Sequence, residues 1–173
     1  MGDSKRARRV ESLPGVYIHR PRIFPDDRGH FAEAFKASAL AEAGGQLDLR
    51  QANVSFSRRG TIRGMHYTLN PPGQAKYVMC AAGRIVDVIL DYERNEYMAV
   101  ELSSEERTAV FVPENYAHGF IAVEDSTVFY LTSCEYQPDV DRGLSPMRID
   151  WQELAPSIDP ADYILSEKDR EAE

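Results

Sequence analysis

The sequence has little of what several large protein classes require. It contains two cysteines, Cys80 and Cys134, both in apolar runs typical of strands, so we expect reduced thiols and a cytoplasmic protein. No run approaches the ~18 consecutive apolar residues that a membrane span needs. The basic N-terminal segment MGDSKRARRVE has no apolar run behind it, so we expect neither a signal peptide nor a membrane partner.

Positive charge is also scarce. The chain carries 20 Lys and Arg residues against 28 Asp and Glu residues, which gives a net charge of −8 at pH 7. A nucleic-acid surface needs clustered positive side chains, so we expect no nucleic-acid partner. A small anionic ligand is not excluded, because a few local arginines can bind it whatever the total charge.

What the sequence does contain is a regular succession of strand-like runs. Between residues 49 and 136 these runs are separated by short turns such as RRG, NPPGQ and ENYA, which predicts an all-β antiparallel sandwich or barrel. Short helices are predicted at 31–45, which ends in Gly-Gly, and at 166–173. The length and the absence of an internal linker predict one domain over 1–173, with a flexible tail at 1–12.

Two charged side chains lie on otherwise apolar strand faces. In RIVDVILDY, Asp87 shares a face with isoleucines and the opposite face is apolar too, so Asp87 is predicted to be buried and to need a partner. In QAKYVMC, Lys76 shares a face with Val78 and Cys80. Lys76 is therefore either a cation inside the barrel or a lysine at a strand end that extends to water.

The histidines do not complete a metal site. The segment PENYAHGF, with His118, resembles the second half of a cupin metal motif, which also requires a His-x-His pair and a glutamate. Thr68 occupies the position where His66 would need its companion. We therefore expect no bound metal.

His66 itself has two interpretations. It is either a hydrogen-bonded strand histidine or a general base that removes a proton from carbon, with Lys76 stabilising the resulting oxyanion. Strict alternation places Arg63 and His66 on opposite faces of their strand. Both can line one pocket only if the strand bulges at Gly64, a position that suits glycine.

Seven blocks, taken together and in order, resemble the dTDP-4-dehydrorhamnose 3,5-epimerase family. They are RGHFAEAF, QANVSFSRRGTIRGMHY, PPGQAKYV, GRIVDVILD, VPENYAHGFIAV, FYLTSCEYQP and ILSEKD, and they extend over 15–169. The resemblance implies a cupin/jelly-roll antiparallel β-barrel with short peripheral helices. It also implies a homodimer without cofactor or metal that acts on a dTDP-linked 4-keto-6-deoxyhexose.

The same resemblance implies roles for individual residues. His66 would be the base, Asp169 its orienting carboxylate, Lys76 the oxyanion cation and Tyr130 the acid on the opposite face of the sugar. Two of these positions have simpler interpretations, since SEKD is also a helix-capping pattern and Tyr130 could be a packed strand aromatic. The implied substrate-binding residues are Arg28, Phe31, Glu33, Gln51, Asn53, Arg63, Asp87, His118 and Tyr136. Part of the RGHFAE block would reach the partner subunit.

The carbon that is inverted stays open at this level. The form HYTLNPPGQAKYV resembles the antibiotic deoxysugar branch of the family, in which some members invert one carbon, and the DYERNEYMAVEL loop is shorter than usual. Inversion at C3 and C5, at C3 alone or at C5 alone are all compatible with the residues. A sugar 3,4-ketoisomerase and a non-catalytic sugar-nucleotide binding protein are the alternatives.

Overall fold

The computed structural model describes residues 6–172, which are built mainly from β-strands. The strands are β1 (Arg8–Arg9), β2 (Tyr17–His19), β3 (Ile23–Asp26), β4 (Gly29–Ala32), β5 (Gln51–Ser57), β6 (Ile62–Thr68), β7 (Lys76–Ala82), β8 (Arg84–Asp91), β9 (Glu96–Ser103), β10 (Ala109–Val112), β11 (Ala117–Ala122), β12 (Ser126–Thr132) and β13 (Asp141–Gly143). The helices are α1 (Ala37–Glu42), α2 (Trp151–Leu154) and α3 (Glu167–Glu171), and 3-10 turns occupy Pro146–Arg148 and Pro160–Asp162.

The strands form two large sheets and one separate hairpin. The first sheet has the order β1-β9-β8-β11-β6-β13, the second β2-β10-β7-β12-β5, and β3 pairs with β4 alone. All the pairs between these strands are antiparallel except the parallel pair of β1 and β9. This is the jelly-roll arrangement of the cupin class with short helices at its periphery, so the predicted all-β fold is confirmed. No helix within 6–172 is long and apolar enough to cross a membrane.

Strand β8 shows why the sequence folds into two layers. Its Ile85 and Ile89 pack between the two sheets, and its Val86, Val88 and Leu90 pack on the outer face of the first sheet. That outer face is covered by the C-terminal segment, which contributes the buried Trp151 and Ile158. Burying each such aliphatic side chain stabilises the fold by about 1.5–3 kcal/mol. The predicted burial of Asp87 between these residues is confirmed, because its side chain is fully inaccessible.

Two predicted boundaries are wrong. The helix expected over 31–45 is limited to Ala37–Glu42, because the preceding residues form the β3–β4 hairpin, in which Phe24 pairs with Phe31. The tail expected over 1–12 is too long. Residues 1–5 lie outside the described residues, but Ala7 is buried and β1 pairs with β9, which otherwise would be an unprotected sheet edge.

Candidate active site

A cavity of about 310 Å³ opens between the two sheets near β6 and α3. Seven of the side chains predicted from the sequence line it: Arg63, His66, Lys76, His118, Tyr130, Tyr136 and Asp169. Five further polar residues that line it were not predicted: Ser55, Gln74, Asp141, Ser166 and Lys168. Apolar groups of Phe120 and Val128 form part of the wall, so the polar side chains converge on a partly dry space.

His66 and Asp169 are in direct contact although 103 residues separate them. His66 Nε2 and Asp169 Oδ1 are 2.6 Å apart. Burial raises the pKa of the Asp169 carboxyl, but the hydrogen bond and charge of His66, with bonds from Ser166 and Gly64, outweigh burial and leave the pKa below its usual value. Asp169 is therefore a carboxylate at neutral pH and accepts the Nε2 hydrogen, which leaves the Nδ1 lone pair of His66 free to take a proton.

Both interpretations of the SEKD segment hold in part. Ser166 is the N-cap of α3, and its hydroxyl accepts a hydrogen bond from the backbone N–H of Asp169 at 3.1 Å. In a complete capping box the acidic side chain would turn back to the N-cap backbone. Here the Asp169 side chain turns to His66 instead, so the cap fixes the helix end that presents this carboxylate.

The bulge predicted at Gly64 is confirmed. Strand β6 has one extra residue relative to β11, since His66 pairs with His118 whereas Arg63 already pairs with Phe120. Gly64 adopts φ +104°, a conformation that favours glycine. The extra residue turns Arg63 and His66 to the same side, where both line the cavity.

A second imidazole–carboxylate pair lies beside the first. His118 is the cross-strand partner of His66, and its Nε2 lies 2.7 Å from Asp87 Oδ2. Asp87 is buried behind His118 and does not itself line the cavity, whereas His118 does. The second oxygen of Asp87 has no hydrogen-bond partner. Asp87 therefore holds His118 from the side away from the cavity and does not itself face a ligand.

Lys76 is a buried cation, which decides between its two interpretations. Its exposed fraction is 6%, and its Nζ donates to the Gln74 carbonyl over 3.4 Å. Burial lowers the pKa of Lys76 to about 8, while Asp141 and Cys134 act in the opposite direction. At pH 7 the ammonium form still predominates, so a positive charge faces the cavity.

Tyr130 lies on β12, next to Asn53 on β5. Burial raises the pKa of its hydroxyl, Arg63 lowers it and Asp141 raises it, and the net pKa is above the ordinary value. Tyr130 is therefore protonated at neutral pH and able to donate a proton.

Arg63 on β6 and Ser55 on β5 both line the cavity. Arg63 donates to Ser57 Oγ at 2.9 Å and to the Phe56 carbonyl at 3.0 Å, so its guanidinium is held in place. Gln51 donates to Asn53 at 2.6 Å, and its own carbonyl accepts from the Tyr136 backbone. Neither Gln51 nor Asn53 lines the cavity within this chain.

The three remaining predicted residues do not line the cavity. Arg28 and Phe31 are on the β3–β4 hairpin and Glu33 follows it, all of them exposed or half-buried. Arg28 is bound to Asp26, and Glu33 is bound to Lys36. The structure of one chain therefore does not bring them to His66.

The donor set of the cavity does not suit a metal ion. Within residues 6–172, no group of three or more His, Cys, Asp and Glu side chains is placed to hold one. His66 and His118 each have Nε2 engaged by a carboxylate. The arrangement is that of an acid–base site with a buried cation.

Sequence reasoning missed Asp141 and Lys168 for different reasons. Lys168 stands beside Asp169 in the SEKD block, but adjacent helix positions do not face the same side, so the sequence contained no direct signal for it. Asp141 is in a turn-rich segment without periodicity, and only its pairing with β6 brings it to the cavity.

Comparisons with known proteins agree with this geometry. The family model described as dTDP-4-dehydrorhamnose 3,5-epimerase matches residues 11–173. The curated enzyme of that name from Mycolicibacterium smegmatis is 37% identical over 93% of this chain and 82% of its own length. The structure of NovW, a 4-keto-6-deoxy sugar epimerase from the novobiocin gene cluster of Streptomyces spheroides, has a TM-score of 0.83 at 35% identity, over 99% of this chain and 88% of its own.

A third relative was solved with a ligand. The structure of ChmJ, a 3'-monoepimerase from Streptomyces bikiniensis in complex with dTDP-quinovose, has a TM-score of 0.79 at 31% identity, covering 94% of this chain and 86% of its own. The fold and the site thus define a cupin-type sugar epimerase, an isomerase. The chain belongs to the dTDP-4-dehydrorhamnose 3,5-epimerase family.

Proposed function

We propose that this protein epimerises a dTDP-linked 4-keto-6-deoxyhexose through an enolate, with His66 as base and Tyr130 as acid. The observation that carries the proposal is the 2.6 Å contact of His66 and Asp169 in a cavity that also contains Lys76 and Tyr130. A C4 ketone acidifies the hydrogens on C3 and C5, because the carbanion delocalises onto the ketone oxygen.

Each step has a residue suited to it. The C–H proton passes to Nδ1 of His66, and Asp169 stabilises the imidazolium that forms. The ammonium of Lys76, buried in the cavity wall, stabilises the developing oxyanion. Tyr130 returns a proton from the opposite face of the ring, which inverts the carbon. Proton exchange with water then restores both residues.

The remaining cavity groups suit a nucleotide diphosphate. Arg63 offers a guanidinium in the cavity wall that is held by two hydrogen bonds, which suits bidentate binding of phosphate. Gln51 and Asn53 lie on β5 beside Tyr136, where they would bind the nucleoside. His118, held by Asp87, would contact the sugar.

The test is solvent exchange. The protein is incubated with a dTDP-4-keto-6-deoxyglucose in deuterated water, and deuterium at C3 and C5 is followed by NMR. We expect exchange with the wild type and its loss, by at least about 1,000-fold, with His66→Asn. The control is His19→Asn, a strand histidine outside the cavity, which should exchange normally. Absence of exchange in the wild type, or an active His66→Asn variant, would refute the proposal.

We propose inversion at both C3 and C5, as the family name states. Inversion at C3 alone is the second candidate, because ChmJ, which is named a 3'-monoepimerase, is among the similar structures. The ring couplings of the product after reduction of the ketone distinguish them. An L-configured sugar contradicts the C3-only candidate, and a D-configured C3 epimer contradicts double inversion. A displaced carbonyl would instead indicate a ketoisomerase.

We further propose that two chains form a homodimer through the β5 edge and the β3–β4 hairpin. Val54 and Phe56 on β5 are 70% and 60% exposed, and Phe31 on the hairpin is 65% exposed. Large apolar side chains left exposed on an edge strand and on a hairpin favour association. Sedimentation should give a dimer for the wild type and a monomer for Phe56→Glu. Met147→Glu, at an exposed methionine elsewhere, should stay dimeric; a monomeric wild type would contradict the proposal.

A further inference from the structure

Asp141 and Lys168 form an ion pair in the cavity wall. Lys168 Nζ lies 2.5 Å from Asp141 Oδ2, and this contact connects α3 to β13. The Asp141 side chain is 16% exposed, whereas Lys168 is half exposed to solvent. Both residues line the cavity, and the carboxylate is the more buried of the two groups.

The buried Lys76 needs negative charge that its own contacts do not supply. Its hydrogen bond to the Gln74 carbonyl is long, at 3.4 Å, and a buried ammonium without compensation is costly. Two carboxylates near the cavity are already engaged, since Asp169 binds His66 and Asp87 binds His118. Asp141 is the cavity-lining carboxylate that is not bound to a histidine.

We propose that Asp141 is a positioning residue for the reaction: its carboxylate lines the same cavity as Lys76 and Tyr130 and supplies the negative charge that the buried ammonium of Lys76 lacks, and Lys168 limits this effect by pairing with the same carboxylate. The inference rests on the proposed function for the roles of Lys76 and Tyr130. It assigns to Asp141 no contact with the reacting carbon.

The surroundings of Lys76 support this assignment. Its cross-strand neighbours are Val112 on β10 and Thr132 on β12, and neither carries a charge. Burial lowers the pKa of Lys76, whereas Asp141 and Cys134 both raise it. The effect of Asp141 on this pKa is larger than that of Cys134.

The same carboxylate acts on the acid. Burial is the main reason for the raised pKa of Tyr130, and Asp141 raises it further while Arg63 opposes it. The other ionisable groups on the cavity wall have partners of their own: His66 contacts Asp169, His118 contacts Asp87, and Lys168 contacts Asp141. One charge therefore favours the protonated form of both groups that the mechanism needs protonated.

The pKa of Lys76 can be measured without substrate. The chain has four lysines, Lys5, Lys36, Lys76 and Lys168, so 13Cε labelling gives four signals that single substitutions assign. We expect Asp141→Asn to lower the pKa of Lys76 by roughly one unit, the effect of one nearby opposite charge. Lys168→Met should raise the pKa of Lys76 by a smaller amount. Asp139→Asn, the same change at an exposed neighbour, should leave it unchanged.

Activity provides the second readout. The alkaline limb of the kcat profile for exchange should move to lower pH in Asp141→Asn and to higher pH in Lys168→Met, whereas a merely structural role predicts no opposed shifts. Lys168→Met alters a half-exposed side chain, so it remains informative if Asp141→Asn does not fold. An unchanged Lys76 pKa in the folded variants overturns the inference. Absence of exchange in the wild type would instead refute the proposed function and leave the NMR result standing.

Discussion

A Cβ atom on Gly64 would lie 2.6 Å from the carbonyl oxygen of His118. Real Cβ atoms do not approach backbone that closely, and Gly64 also has φ +104°. The bulge that turns Arg63 and His66 into one cavity therefore depends on the absence of a side chain at this position.

We expect Gly64→Ala to lower the exchange rate by at least about 100-fold and to destabilise the fold by several kcal/mol. Thermal unfolding and the exchange assay measure the two effects. Gly44→Ala is the matched control, because Gly44 also has a positive φ, +84°, but an added Cβ would meet nothing within 4 Å. Equal effects of the two substitutions would mean that backbone strain, and not the contact with β11, is what matters.

Asp169→Asn should reduce kcat by about 10²–10⁴-fold while the fold is kept, because an amide no longer fixes the tautomer of His66 or stabilises its protonated form. The cap of α3 survives, since it uses the backbone N–H of residue 169. Asp159→Asn, at the N-cap of the Pro160–Asp162 turn, serves as the control. A kcat close to that of the wild type would show that His66 needs no carboxylate.

Lys76→Met should stabilise the protein at neutral pH while abolishing exchange. The pKa of Lys76 falls from 10.5 to about 8 on folding, so burial of the charged form costs on the order of 3 kcal/mol below pH 8. Between pH 8 and 10.5 the unfolded chain binds more protons than the folded one, so wild-type stability rises with pH there. Urea unfolding across this range should show the rise for the wild type and not for Lys76→Met. A destabilised Lys76→Met at pH 7 would contradict the prediction.

Mixing two inactive variants tests whether the hairpin serves the neighbouring subunit. If Arg28 acts in the partner's site, a heterodimer of His66→Asn and Arg28→Ala chains has one site with both native residues. Random reassociation should then restore about a quarter of wild-type activity, because half of the dimers are mixed and each has one intact site. If Arg28 acts within its own chain, mixing restores nothing.

Local pattern in the sequence was enough for much of the fold. The alternation in RIVDVILDY predicts a strand buried on both faces with Asp87 inside, and the structure has both. Strict alternation places Arg63 and His66 on opposite faces of their strand. A pocket that both residues line therefore predicts a bulge at Gly64. Both arguments depend on the fixed period of a β-strand, which the residues themselves set.

Helical composition was a weaker guide. The FAEAFKASALAEAGG segment has the residues of a helix, yet its first part lies in a strand because Phe24 and Phe31 pair across the hairpin. A contact with another segment outweighed the intrinsic preference. The basic composition of the N-terminal segment likewise predicts a tail over 1–12, whereas β1 within it pairs with the edge of β9.

What the sequence determined by itself was the two-layered β architecture, the bulged strand with its histidine and, through the order of its motifs, the family. The resemblance implied that Asp169 serves His66, but only the tertiary structure decided the geometry of the charge pairs: Asp169 with His66, Asp87 with His118 and Asp141 with Lys168. These pairs join segments separated by 27 to 103 residues, and no periodicity relates them. Their energies depend on distance and burial, and both quantities exist only after the sheets have packed.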